Sequence, residues 1–112
     1  MDTLEAMNTC TAMRYFKDEP VPKAVLEQLL YAATRASNPG NSQGWEFLVI
    51  DDPDIKTRVG ERVQQDMAPF FAARPPGADP VEERMLQGAE HLAKHFAKVP
   101  VWIVGMARKI YP

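Results

Sequence analysis

Two short apolar runs, "WEFLVI" at 45–50 and "VPVWIVGM" at 99–106, constrain this chain more than any other feature. Each is rich in aromatic and β-branched residues and flanked by turn signals, so each reads as a strand. Their apolar residues do not alternate with polar ones, so both faces of each strand call for cover. Two such strands need more sheet and more helices around them. The expectation is therefore a fold of helices and strands that is incomplete in this chain, finished by a second copy or by further residues.

The rest reads as helix. In "PVPKAVLEQLLYAATRAS", Pro22 sits near a first turn, where its missing N–H costs little. Val25, Leu26, Leu29, Leu30 and Ala33 recur with helical spacing, and the helix is expected to end before Asn38-Pro39-Gly40. "DDPDIKTRVGERVQQDM" starts another, with Asp52 as N-cap, Pro53 at the first position and a stripe of Ile55, Val59, Val63 and Met67. "APFFAARPPGADP" is expected to be a loop holding Phe70 and Phe71. Asp79-Pro80 repeats the cap pattern, and Val81, Met85, Ala89, Leu92 and Phe96 make the next stripe. With a short N-terminal helix, that is three substantial helices, one minor helix and two strands, without repeats or low-complexity sequence.

Composition narrows the function classes. At 112 residues, 46% hydrophobic and 25% charged, the chain is one globular domain or part of one. The formal net charge of −2, without a long basic run, argues against nucleic acid or an anionic membrane as main partner. No apolar run approaches the roughly 18 residues of a membrane span. "MDTLEAMNTC" lacks the layout of a secretory signal, and the single cysteine, Cys10, has no internal partner. A cytoplasmic location is the expectation.

Four features could carry chemistry. "SNPGNSQG" packs Asn38, Asn41 and Gln43 into one turn. Turn chemistry alone explains Asn, Pro, Gly and Ser, but not Gln43 just before Trp45; amides both donate and accept, which suits a ligand with a mixed polar edge. Arg14 lies on an irregular connection and is either a solvated surface charge or a fixed cation opposite an anionic ligand group. His91 and His95 stand one helical turn apart, yet a metal normally needs three protein ligands and no HExxH motif exists. A polar helix face or subunit contact is the plainer reading, and no metal is expected. Cys10 has no histidine or lysine nearby in sequence to activate it and reads as a small buried thiol. Neither GxGxxG nor a P-loop pattern is present.

Taken in order, "TAMRYFKDEPVPKAVLEQLLYAATRA", "NPGNSQGWEFLVIDDPD" and "HLAKHFAKVPVWIVG" resemble the nitroreductase family of flavin enzymes over nearly the whole chain. The resemblance implies an α+β, nitroreductase-like fold, a mixed or antiparallel sheet flanked by helices, with FMN at the interface of a homodimer. Residues 1–112 would be the N-terminal portion of one such domain. It implies that Thr11 and Arg14 lie in the cofactor site, Arg14 facing the flavin's pyrimidine end, where a cation stabilises charge developing on reduction. It implies that Asn38, Pro39 and Asn41 contact FMN from the partner subunit, with Gln43 beside them and Trp45 anchoring the strand. The implied reaction is ping-pong: NAD(P)H reduces the flavin, leaves, and a nitroaromatic, quinone or similar acceptor follows. No side-chain base is expected, so no catalytic residue is assigned.

Three departures qualify the likeness. Cys10 and Thr11 stand where the family carries basic residues near the flavin phosphate and ribityl chain, and a lost charge-assisted contact costs about 1.5–3 kcal/mol. Gly44 replaces a proline before Trp45. Family members are longer, and their remaining portion carries a central dimer helix, further strands and more phosphate ligands. The alternatives are a truncated or half-length non-catalytic module for ligand binding or dimerisation, or a flavin enzyme with altered chemistry such as reductive dehalogenation or flavin cleavage.

Overall fold

The protein is described by a computed structural model over residues 1–109; residues 110–112 lie outside the description. Four helices, α1 (Thr3–Thr9), α2 (Lys23–Ala33), α3 (Pro53–Ala73) and α4 (Pro80–Lys94), accompany two strands, β1 (Trp45–Ile50) and β2 (Trp102–Ala107). The strands pair antiparallel, Trp45 opposite Ala107 and Ile50 opposite Trp102. The α+β class and the element count are those expected.

Side-chain caps define the helix starts. Asp2 accepts from the Glu5 amide at 2.8 Å, and Asp52 from the Ile55 amide at 2.9 Å. Asp79 takes two amides, those of Val81 and Glu82, at 2.8 and 2.9 Å. Each satisfies donors that a helix N-terminus otherwise leaves open. α2 ends at Ala33 with Thr34 as its cap, before Asn38 as expected.

The expected loop at "APFFAARPPGADP" is half helix: α3 runs through Pro69 to Ala73. Pro69 forfeits one backbone bond, while continuing the helix half-buries Phe71 in the groove it shares with Ala93 of α4. The real stop is Arg74-Pro75-Pro76-Gly77, where consecutive prolines bar helix. Arg74 then donates to both Glu83 carboxylate oxygens at 3.1 and 3.2 Å, and Glu83 also accepts the Gly77 amide at 2.7 Å. This clamp folds the loop back onto the start of α4. It holds the Glu83 carboxyl well below its usual range, from 4.5 to about 2, through the Arg74 hydrogen bonds first and the Gly77 amide second.

The inward faces also differ from the expected stripes. Ile55 and Val59 are 46% and 40% exposed, while Lys56 and Gly60 turn inward with Val63 and Met67. The Lys56 ammonium donates to the Val99 and Pro100 carbonyls at 3.0 and 2.9 Å. A Cβ at Gly60 would stand 2.7 Å from the Ala97 Cβ and 3.0 Å from its nitrogen, so only glycine lets α3 meet the single-turn helix Phe96–Lys98 this closely. On α4, Val81 and Met85 are exposed, whereas Leu86 and Ala89 are half-buried and Ala93 is buried.

The strands themselves are not buried within this chain. Leu48, Ile103, Val104 and Met106 are each 40–49% exposed. Ala93 is the one buried hydrophobic residue among those described. The accessible surface is 9100 Å², against about 6,200 Å² for a compact monomer of this mass. The radius of gyration is 17.1 Å, against about 13 Å for a closed domain of this length. The two strands thus lack the cover their composition demands.

Candidate functional site

The amide turn is built from its own side chains. Asn38 Oδ1 accepts the Gln43 amide at 2.8 Å and faces the Ser42 hydroxyl at 3.4 Å, bridging the two ends of the turn. Gly40, Asn41 and Gln43 all take the left-handed backbone conformation, with φ of 60°, 50° and 48°. Glycine and asparagine tolerate this readily; glutamine does so against its preference. Gln43 Nε2 donates to Asn41 Oδ1 at 3.3 Å. Asn38 is therefore spent on shaping the turn, while the Asn41 amide nitrogen and the Gln43 carbonyl stay available. Thr34 to Asn38, Asn41 and Gln43 line a polar concavity of about 330 Å³ beside the turn, and Pro39 starts its single 3-10 turn. Trp45 is half-buried at the strand's first position.

Arg14 sits elsewhere. Thr11 and Cys10 are exposed on the extended segment after α1, so Cys10 is not the buried thiol expected. Arg14 is half-buried, its chain lying along α4 at Gly88, where an added Cβ would come within 3.2 Å of Arg14 Cδ. Its guanidinium makes one long bond, 3.4 Å to the Ala12 carbonyl, and no ion pair among the described residues. It lines a cavity of about 120 Å³ with Phe16, Asp18, His91, Leu92, His95, Lys98 and Val99.

The two histidines expected on one helix face are stacked, ring centroids 4.3 Å apart, and Tyr15 stacks on His91 at the same spacing. His95 is no longer helical: it caps α4, and its Nδ1 lies 2.9 Å from the His91 carbonyl. A carbonyl only accepts, so Nδ1 carries the proton and Nε2 is left for other partners. Among the described residues no group of three or more His, Cys, Asp or Glu is placed to hold a metal ion. No helix among them is long and apolar enough to cross a membrane.

Of the proposed site residues, the structure brings Asn38, Asn41 and Gln43 together and leaves Arg14 in a separate cavity, with no residue lining both. Asp18, Lys98 and Tyr15 were not singled out in the sequence. The i, i+4 histidines were the only signal there, and nothing local says that the segment after α1 lies across α4.

Against known proteins, the sequence model of the Nitroreductase family matches residues 9–111. The iodotyrosine deiodinase of Danio rerio is 32% identical over 60 residues, 54% of this chain and 20% of that protein. An NADH dehydrogenase of Thermus thermophilus is 36% identical over 50 residues, 45% of this chain and 24% of that protein. Among solved structures, an iodotyrosine deiodinase bound to FMN and 3-iodo-L-tyrosine superposes with a TM-score of 0.74 at 22% identity, covering 97% of this chain and 58% of that one. A BluB-like flavoprotein from Clostridium difficile 630 gives 0.65 at 18% identity, covering 96% and 49%. The fold is nitroreductase-like, and this chain spans about half of the solved chains and a fifth to a quarter of the curated relatives it matches.

Proposed function

This chain belongs to the nitroreductase family, and from that premise we propose that it forms part of an FMN-dependent oxidoreductase, taking hydride from NAD(P)H and passing it to a small acceptor. The observation that carries this reading is Arg14, a half-buried guanidinium without an ion pair among the described residues, facing a cavity. A buried charge is costly unless paired, so a cation left open in this way favours an anionic partner from outside the chain.

FMN fits these residues at its polar edges. Arg14 would hold the pyrimidine end and oppose negative charge there. The free Asn41 nitrogen and Gln43 carbonyl offer the alternating donors and acceptors of a heterocyclic edge. Bound flavin supplies the hydride chemistry; the protein supplies position and electrostatics. Because Arg14 and the turn line separate concavities, a flavin that touches both calls for two copies of the chain. The uncovered apolar surface supports a homodimer of that kind. Thr11, exposed and uncharged, is the weakest contributor.

A second reading within the same chemistry is reductive dehalogenation, in which two electrons and a proton replace halide by hydrogen on an aromatic acceptor. The likeness to iodotyrosine deiodinases in both sequence and fold favours it. The test is the visible spectrum after incubation with FMN and desalting, then NAD(P)H oxidation with a nitroaromatic, a quinone and 3-iodotyrosine in parallel. A retained flavin band weakened by Arg14→Ala is the expected result. A colourless protein removes the enzyme reading from this chain and leaves a non-catalytic association module.

A further inference from the structure

Four basic groups and one carboxylate line the small cavity on the α4 side of Arg14. Arg14 lacks an ion pair among the described residues; His91 and His95 present stacked rings; Lys98 stands on the 3-10 turn that follows; Asp18 is exposed at the rim. The neighbouring Lys94 is already paired with Glu90 at 2.8 Å, and Lys56 is spent on the Val99 and Pro100 carbonyls. The carboxylates near this end of α4 therefore leave the cavity with a net excess of donors. His95 holds Nδ1–H on the His91 carbonyl, which fixes the ring and leaves Nε2 unengaged.

Size decides the ligand class. The volume is about 120 Å³, below the roughly 300–1,000 Å³ of sites that enclose a whole drug-sized molecule. It suits one compact charged group. The guanidinium and the ammonium donate to a tetrahedral oxyanion, and an imidazole Nε2 without a proton accepts from a protonated phosphate oxygen, so the set matches a hydrogen phosphate. Basic residues are missing at Cys10 and Thr11, so this cluster is the concentration of positive charge near the Arg14 segment.

We infer that the cavity between Arg14, His91, His95 and Lys98 is a subsite for a phosphate-sized oxyanion. It shares Arg14 with the cofactor reading but stands on its own: the phosphate of a second ligand such as a phosphorylated nicotinamide cofactor, or that of an FMN bound with its phosphate in place of its pyrimidine end at Arg14, has the same chemistry. Tyr15 stacks on His91 and His91 on His95, which holds the two imidazoles side by side at the cavity that both line.

The test follows the two imidazole side chains by NMR as inorganic phosphate is added to the full chain. Saturable shifts at both histidines are expected by about 20 mM, above the roughly millimolar affinity of a single small-ion subsite. Lys98→Gln and His95→Gln should each weaken binding about threefold or more, while Lys23→Gln, which removes the same charge from the exposed start of α2, should not. Lys98 is exposed, so its variant folds even if the histidine variant does not. Riboflavin and FMN then separate the sources. Phosphate that competes with FMN but not riboflavin assigns the subsite to the cofactor; phosphate and FMN bound together assign it to a second ligand. Either outcome supports the subsite. Histidine signals indifferent to phosphate, or binding unchanged by Lys98→Gln, overturn it, whether or not the chain retains flavin.

Discussion

The α3–α4 half of the molecule and the α1–α2 half are built on opposite terms. In the first, α3 meets α4 and the turn after it through Gly60, Met67, Phe71 and Ala93, and the connecting loop is tied by Arg74, Glu83 and Gly77. In the second, α1 and α2 contain no buried residue, and Leu4, Met7, Leu29 and Tyr31 are 53–71% exposed. Apolar helix faces of that size do not stay in water when a partner surface is available. The first half supplies its own contacts; the second is shaped for surfaces that this stretch of chain does not supply.

The strongest way to break this contrast is at Gly60. Gly60→Leu would drive atoms into the Ala97 backbone and should cost about 2–3 kcal/mol or prevent folding, seen as a collapse of the urea midpoint. Gly77→Ala probes the clamp in the same way, since its Cβ would stand 2.5 Å from the Glu83 nitrogen. A loss of about 1–3 kcal/mol is expected, and an unchanged midpoint would mean that the loop is free to shift.

The clamp also has a pH signature. Glu83 titrates lower in the folded protein, about 2, than its ordinary 4.5. The carboxylate therefore contributes stability that is fully present above pH 4.5 and fades as pH falls from there toward 2. Glu83→Gln should be less stable than the parent at pH 7, with the gap closing as the pH drops through that window. A gap independent of pH would remove the charge from the explanation.

In the amide turn, Gln43→Gly relieves a left-handed glutamine and should stabilise by up to about 1 kcal/mol while weakening FMN retention. Asn38→Ala should instead speed hydrogen exchange at the Gln43 amide that it now caps. The smallest effect on stability is expected in the open half. Leu29→Ser should change the unfolding free energy measured in urea by less than about 0.5 kcal/mol, yet shift the sedimentation profile toward monomer. A large loss of stability with no change in association would show that α2 is packed more firmly than its exposure indicates.

Much of the fold could be read along the chain because its signals are local. Asp52 and Asp79 before proline announce helix starts wherever they occur, since the cap bonds reach only two or three residues ahead. The strands carried their own signal in β-branched and aromatic residues, and the ordered motifs around Arg14 and Asn38–Gln43 placed the family. The segment around Pro69 misled because it was read as a loop, whereas the groove that Phe71 shares with α4 favours helix through Pro69 to Ala73. The α3 face misled because its inner side includes Lys56 and Gly60, a lysine and a glycine that only a distant turn makes sensible.

By itself, then, the sequence determined the helices and their starts, the two strands, the family and the residue types offered to a cofactor, all of which rest on interactions a few residues long or on an ordered pattern. The tertiary structure decided that Arg14 lies along α4, that Tyr15, His91 and His95 stack, and that the amide turn and Arg14 line separate concavities. Arg14 and Gly88 lie 74 positions apart and Tyr15 and His91 lie 76 apart, joined only by packing that leaves no periodic trace in the order of residues.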